Sequence, residues 1–230
     1  MIDRVADLEA AVERYLRQGQ TWMVGGFGRG GVPFSVLEHL AERPDDFRDL
    51  TLVKNDANEP GIGIDLLLAR GMVRRLIATH IGANPDFIAQ MNRGEVACEL
   101  VPQGIFAERI RAGGAGIPAF ATDIGVDTEV AAGKPTLELD GRSYLVERAL
   151  RGDVALVSAD VVDRTGNCWW RGSNRNMCTV MATACDRVIV EAREIVAIGE
   201  LRPEDVHLPG VFVDAVVAAR PRRHQQEGSP

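Results

Sequence analysis

Cysteine is scarce in this chain, and what there is has no metal-binding spacing. Cys98, Cys168, Cys178 and Cys185 form no C-x-x-C pair, and no histidine stands at zinc-finger distance from them. Buried free thiols in a reducing compartment are therefore expected, with no structural metal. No apolar run approaches the roughly 20 residues of a membrane span. The first residues, Met1-Ile2-Asp3-Arg4, open a charged helical pattern and not a signal peptide. Those two absences point to a cytoplasmic protein. Basic excess is missing as well: the formal charge is −7, which argues against a nucleic-acid partner. There is no G-x-S-x-G elbow, and Ser35 and Ser158 have no evident base partner. H-x-x-x-H spacing is absent too, so the residues alone offer no self-sufficient catalytic set.

What is present is an ordinary globular composition, 46% hydrophobic and 26% charged over 230 residues, enough for one good-sized α/β domain. The pattern predicts an amphipathic helix over about 3–17, from Val5, Leu8, Val12, Tyr15 and Leu16. Short apolar strands then alternate with helices: strands at 21–24, 50–53, 73–78 and 96–101, helices after 34, at 64–68, at 85–93 and at 105–112. Gly113, Gly114 and Gly116 are read as breaking the last of these. Strand then helix, repeated with short loops, is the signature of a mostly parallel sheet covered on both faces. Thr136 to Leu139, Asp140-Gly141, and Arg142 to Val146 predict an antiparallel hairpin inserted in that core, because Asp-Gly suits a type I′ turn. Further strands are expected at 154–157, 188–190 and 211–213, with a helix at 177–184. Residues 1–218 form a single domain in this reading, and 219–230 a disordered tail.

The most informative stretch is Gly25-Gly26-Phe27-Gly28-Arg29-Gly30-Gly31, between the strand ending at Val24 and the helix that follows Pro33. A strand, a glycine loop and a helix can aim backbone N–H groups at an anionic or carbonyl ligand. The same stretch also fits a tight turn that binds nothing. Gly26, Gly28 and Gly31 match G-x-G-x-x-G, yet no acidic residue follows at a ribose position, which disfavours an NAD(P)-binding domain. Ligands of open sheets lie beyond the carboxyl ends of the strands. The Asn55 loop, the His80 loop and the Gln103 turn are placed there with the glycine loop. Asn55, Asp56, Asn58 and Glu59 either serve a ligand or bond their own backbone. His80 is a proton shuttle or a structural residue. Arg109 with Arg111, and Arg171 with Arg175, are candidate anion clamps or surface charges. Trp169 and Trp170 are expected to face opposite ways, one in the core.

Gly25-Gly26-Phe27 with Gly31 and Pro33, then Thr79-His80-Ile81-Gly82, Val101-Pro102-Gln103-Gly104, the run from Ala107 to Phe120, Gly166-Asn167, Arg175-Asn176 and Pro209-Gly210 together resemble the alpha (A) subunit of family I coenzyme A transferases of the 3-oxoacid type. The resemblance runs from about residue 4 to 217. It implies a three-layer α/β sandwich, a homologous beta subunit, and commonly an α2β2 assembly. The nucleophile it implies is a glutamate in a Ser-Glu-Asn-Gly segment of that beta subunit, and this chain contains no Ser-Glu pair. No catalytic residue is therefore expected here, and no resident cofactor, the coenzyme A thioester being a substrate. Gly25 to Gly31 are the residues expected to contact CoA and the acyl group, with Asn55 and Gln103 as amide donors. Departures from the family pattern at Gln18, Trp22, Ile105, Ala121 and Asp127 leave the glycine loop intact. Those at 105, 121 and 127 are expected near the acyl end of the site. A scaffold that kept the fold and lost the enzyme is the non-catalytic alternative.

Overall fold

The computed structural model describes residues 2–220. The expected tail at 219–230 lies outside the described residues except for Ala219 and Arg220. Those two are held by backbone bonds, Ala219 N–H to the Ala192 carbonyl at 2.8 Å and Arg220 N–H to Ser35 Oγ at 2.9 Å.

The first half alternates as read: α1 (Leu8–Tyr15), β1 (Thr21–Val24), α2 (Phe34–Ala41), β2 (Leu50–Val53), α3 (Asp65–Leu68), β3 (Val73–Ala78), α4 (Pro85–Asn92), β4 (Ala97–Leu100) and α5 (Gln103–Gly114). An antiparallel unit follows, formed by β5 (Ala119–Thr122), β6 (Thr136–Leu139) and β7 (Arg142–Arg148). The chain then returns through β8 (Gly152–Asp163), β9 (Cys168–Trp169), α6 (Cys178–Thr183), β10 (Cys185–Val196) and β11 (Ala215–Ala218). The main sheet has the order β11-β10-β8-β1-β2-β3-β4, all parallel, with β9 paired antiparallel to β8.

Side chains alternate across this sheet. Trp22, Val24, Leu52, Leu76 and Leu156 pack on one face with Leu8, Leu37, Leu67 and Phe87 of the first four helices. Met23, Val53, Ile77, Ala155 and Val157 pack on the other with Phe106 and Ile110 of α5 and Met181 of α6. Period-two alternation with both sets buried makes a sheet the middle of three layers, and the α/β sandwich is the architecture the sequence implied.

Several boundaries differ for identifiable reasons. The first helix starts at Leu8, not near residue 3, because Asp7 caps it, accepting from the N–H groups of Glu9 and Ala10. Residues before it are extended and bond Val216 at both ends of a bridge. Gly113 and Gly114 do not break α5. They are its closest points of approach, since a Cβ on Gly113 would overlap the Leu150 carbonyl oxygen and one on Gly114 would lie 2.6 Å from Thr183 Oγ1. The hairpin is present, with Asp140 and Gly141 at φ 51° and 72°, both positive as type I′ demands. It gains a third strand, β5. Residues 211–213 are no strand: Gly210–Phe212 is a 3-10 turn with Val211 exposed, and the last strand is β11.

Candidate active site

The first four strands step from β1 to one edge, while β8, β10 and β11 lie on β1's other side. The order therefore reverses between β1 and β8, and the loops beyond that point enclose the candidate site.

The glycine loop is a clamped hairpin. Phe27 and Gly30 exchange both backbone bonds (3.0 and 3.1 Å), closing a two-residue turn of Gly28 and Arg29, with Gly28 at φ 56°. At the tip, Gly28 N–H donates to Asp56 Oδ2 (2.9 Å) and its carbonyl accepts from Asn58 Nδ2 (2.9 Å). At the base, Gly26 N–H donates to Asn176 Oδ1 (3.2 Å), and Asn176 Nδ2 donates to the Gly30 carbonyl (3.0 Å). Gly25 N–H bonds the Leu156 carbonyl. The N–H groups of residues 25, 26, 27, 28 and 30 are thus engaged inside the protein, which leaves those of Arg29 and Gly31 as the loop's N–H groups without a partner among the described residues. The N-terminus of α2 is not open to an anion. The Glu191 carboxylate from β10 already accepts from Val36 N–H at 2.9 Å, and burial pushes its pKa up to about 7. What the hairpin offers outward is the Phe27 ring, 57% exposed, and the Arg29 guanidinium.

Under the hairpin lies an ion pair that the sequence reading missed. Lys54 is fully buried, and its Nζ donates to Asp56 Oδ1 at 3.0 Å. Burial pushes the Lys54 pKa down, against the pull of Asp56. Burial also works against the Asp56 carboxylate, yet Lys54 and the N–H groups of Gly28 and Asn58 hold it below its ordinary range. The legible signal was an apolar strand, Leu50 to Val53, running straight into a lysine with an aspartate two positions on, hence on the same side. Asn58 completes the support, its Oδ1 accepting from Ile64 N–H.

These supports leave a cleft of about 170 Å³ walled by Phe27, Gly28, Asn55, Thr79, His80 and Gln103, with Ile62 and Ala83 adding apolar surface. Thr79 ties its polar end together. The hydroxyl lies 2.8 Å from the Asn55 carbonyl oxygen and 2.7 Å from Gln103 Oε1, two acceptors between which its single proton is shared. Asn55 Nδ2 donates weakly to Asp56 (3.3 Å), whereas Gln103 Nε2 makes no hydrogen bond among the described residues. His80 stands at the rim with its backbone bonded to Asn55 and Ala57. The two cleft carboxylates are committed, Asp56 to Lys54 and Glu59 to Arg29. Cysteine is no nucleophile here: burial pushes Cys178 and Cys185 up to about 12, and Cys168 further still.

Other candidates fall elsewhere. Arg109 pairs with Glu99 (2.7 Å) and Arg111 with Glu108 (2.6 Å), so neither is a free anion clamp. Arg175 borders a separate space on the far side of Phe27. Trp170 is buried, its indole N–H bonded to the Ser158 carbonyl, and Trp169 is half-buried. Both stack on His207, at 6.2 and 6.3 Å, away from the cleft. Ile105 packs in the core, while Ala121 and Asp127 are exposed on or beside the antiparallel unit. None of these three lines the cleft. No helix among the described residues is long and apolar enough to cross a membrane.

Comparison with known proteins gives this geometry a context. A profile of the coenzyme A transferase family matches residues 5–219. The alpha subunit of the acetate CoA-transferase of Escherichia coli K12 is 44% identical over 206 residues, 90% of this chain and 93% of its own. The alpha subunit of the acetoacetyl-CoA:acetate/butyrate CoA transferase of Clostridium acetobutylicum is 37% identical over 203 residues, 88% of this chain and 92% of the relative. Among solved structures, an acyl-CoA transferase of Escherichia coli O157:H7, in a thioester complex with CoA, superposes with a TM-score of 0.85 at 22% identity. It covers 99% of this chain, which spans about half (49%) of that longer one, and the likeness is one of fold. With the profile and these relatives in agreement, the chain belongs to the coenzyme A transferase family and aligns along nearly its whole length with that family's alpha subunits.

Proposed function

We propose that this chain is the non-nucleophilic subunit of an enzyme that moves CoA between an acyl-CoA and a short carboxylic or 3-oxo acid. The acids are those of the succinate, acetoacetate, acetate and 3-oxoadipate class, and the setting is a cytoplasmic α2β2 assembly with a homologous beta subunit. The observation that carries the reading is the state of the cleft: it has amide and hydroxyl groups at one end, and both carboxylates among its described lining residues are already paired. Asp56 is fixed on Lys54 and Gly28, and Glu59 on Arg29.

The attacking carboxylate then belongs to the beta subunit, in its Ser-Glu-Asn-Gly segment. That carboxylate attacks the thioester carbonyl, the C–S bond breaks, and an acyl-glutamyl anhydride forms with release of CoA thiolate. The thiolate attacks the glutamyl carbonyl of the anhydride, releasing the donor acid and leaving an enzyme thioester. The acceptor acid reverses the two steps. A carboxylate is a weak nucleophile in water, so the walls must exclude solvent and offer fixed donors to the tetrahedral oxyanion. The Gln103 Nε2 group and the Asn55 amide are this chain's donors, with Phe27 and Ile62 as apolar wall. Gly28 and Arg29 meet the thioester at the hairpin tip, and Gly25, Gly26, Gly30 and Gly31 hold that tip in place.

The test is reconstitution. The purified chain transfers no CoA between acetoacetyl-CoA and succinate or acetate, and activity appears on addition of the cognate beta subunit. Mass spectrometry during turnover finds the covalent thioester on the beta chain; transfer by this chain alone, or an adduct on it, refutes the division of labour.

A further inference from the structure

The hairpin separates two spaces of unlike chemistry, and one side chain is the partition. On one side of Phe27 lies the 170 Å³ cleft, with Ile62 and Ala83 as apolar surface. On the other lies a space of about 380 Å³ bordered by Ser173, Arg175 and Asn176. Among the described residues, Phe27 alone borders both. Its ring is 57% exposed, so it is not a core anchor that happens to touch a cavity. Its backbone is held on both sides, by the paired bonds to Gly30 and by Asp56, Asn58 and Asn176 on the residues flanking it. The backbone that carries the ring is therefore fixed where the two spaces meet. Arg175 makes no ion pair among the described residues, so the far space holds a cation open to a carboxylate.

We infer that Phe27 is the specificity-determining wall of the acyl cleft. It caps acyl length and keeps the far end of the chain from Arg175. This rests on the reading that the 170 Å³ cleft holds the acyl group. In the wild type a chain longer than the cleft meets the ring. With the ring removed the two spaces join, and a chain that crosses ends among Ser173 and the Arg175 guanidinium. A terminal carboxylate gains a charge-assisted hydrogen bond there, whereas a terminal methyl gains none. Phe27 thus sets two selectivities at once, length and the identity of the distal group.

The experiment measures kcat/KM in the reconstituted complex for two acceptor series of four to eight carbons, straight-chain monocarboxylates and α,ω-dicarboxylates. Wild type, Phe27→Ala and Phe27→Ala/Arg175→Met are compared. The readout is the ratio of eight-carbon to four-carbon kcat/KM, which a general loss of rate leaves unmoved. Expected are a ratio raised at least tenfold by Phe27→Ala, a larger rise for diacids than for monoacids, and loss of the diacid advantage alone in the double variant. A ratio equal to wild type in Phe27→Ala overturns the inference. So does an equal loss at every length, which would make the ring a support of the site and not its boundary. Absence of transfer in the wild-type complex with every acid would instead sink the functional reading itself.

Discussion

Replacing Gly26 and Gly28 separately by alanine distinguishes glycine required by packing from glycine left open for a ligand. Gly28 sits at φ 56° with no atom within 4 Å of where a Cβ would be. Alanine there costs only the left-handed backbone, about 1 kcal/mol. Gly26 sits at φ 111°, and its Cβ would overlap Val32 Cγ2 and lie 3.2 Å from both Gly30 O and Val32 Cα. Val32 is itself buried and has nowhere to go. To the backbone cost are added about 1–3 kcal/mol of overpacking and about 1 kcal/mol for the bond to Asn176. The sum is roughly 3–5 kcal/mol for Gly26→Ala against about 1 for Gly28→Ala. For a chain of this size that is a fall in Tm of about 10 °C against about 3 °C. Thermal unfolding of the two purified variants beside wild type is the assay. Equal shifts would refute the packing argument and return the loop to a ligand-shaped cradle. Gly28→Ala is also the variant in which lost turnover at near-normal Tm reports ligand contact, whereas a bulkier residue at 26 reports folding.

The buried pair beneath the hairpin predicts a double-mutant asymmetry. Lys54→Met strands the Asp56 carboxylate and costs about 3–5 kcal/mol in denaturant unfolding, while Lys54→Met/Asp56→Asn recovers most of it, because removing both charges removes the desolvation penalty with the attraction. Additive losses would contradict this. Glu191 predicts a pH dependence. Its pKa is raised by burial from the usual 4.5 to about 7, so the folded chain binds more protons than the unfolded one in that window. The stability this contributes is present below pH 4.5 and lost as pH rises through 7. Glu191→Gln should therefore gain on wild type between about pH 5 and 8, by at most about 3 kcal/mol at roughly 1.36 per pKa unit. A gap that stays constant with pH would show that Glu191 titrates normally.

Much of the fold was legible because burial leaves a periodic trace. The short strands at 21–24, 50–53 and 73–78 are largely apolar and bounded by loops, and Asp140-Gly141 marks its turn by backbone geometry alone. The long strands were half-hidden. Val154 to Val157 and Val188 to Val190 were visible, but β8 and β10 pair from Gly152 with Cys185 to Asp163 with Val196. Their flanks carry Asp153, Asp160, Arg187 and Arg193, and backbone pairing is indifferent to what those side chains are. Val211-Phe212-Val213 misled for the converse reason, since three apolar residues in a row say nothing about whether a partner strand is beside them.

By itself, then, the order of residues determined the alternating α/β architecture, the position of the glycine loop beyond β1, and the lack of a Ser-Glu pair. These are local or compositional properties, carried by periodicity, turn chemistry and residue identity. Only the tertiary structure decided what the loop's N–H groups bond to. Asp56 is 28 residues from Gly28 and Asn176 is 150 from Gly26. No spacing rule reaches across such separations, and hydrogen bonds that complete a buried loop depend on which strands lie side by side. That adjacency made the glycine loop a clamped hairpin with an aromatic wall.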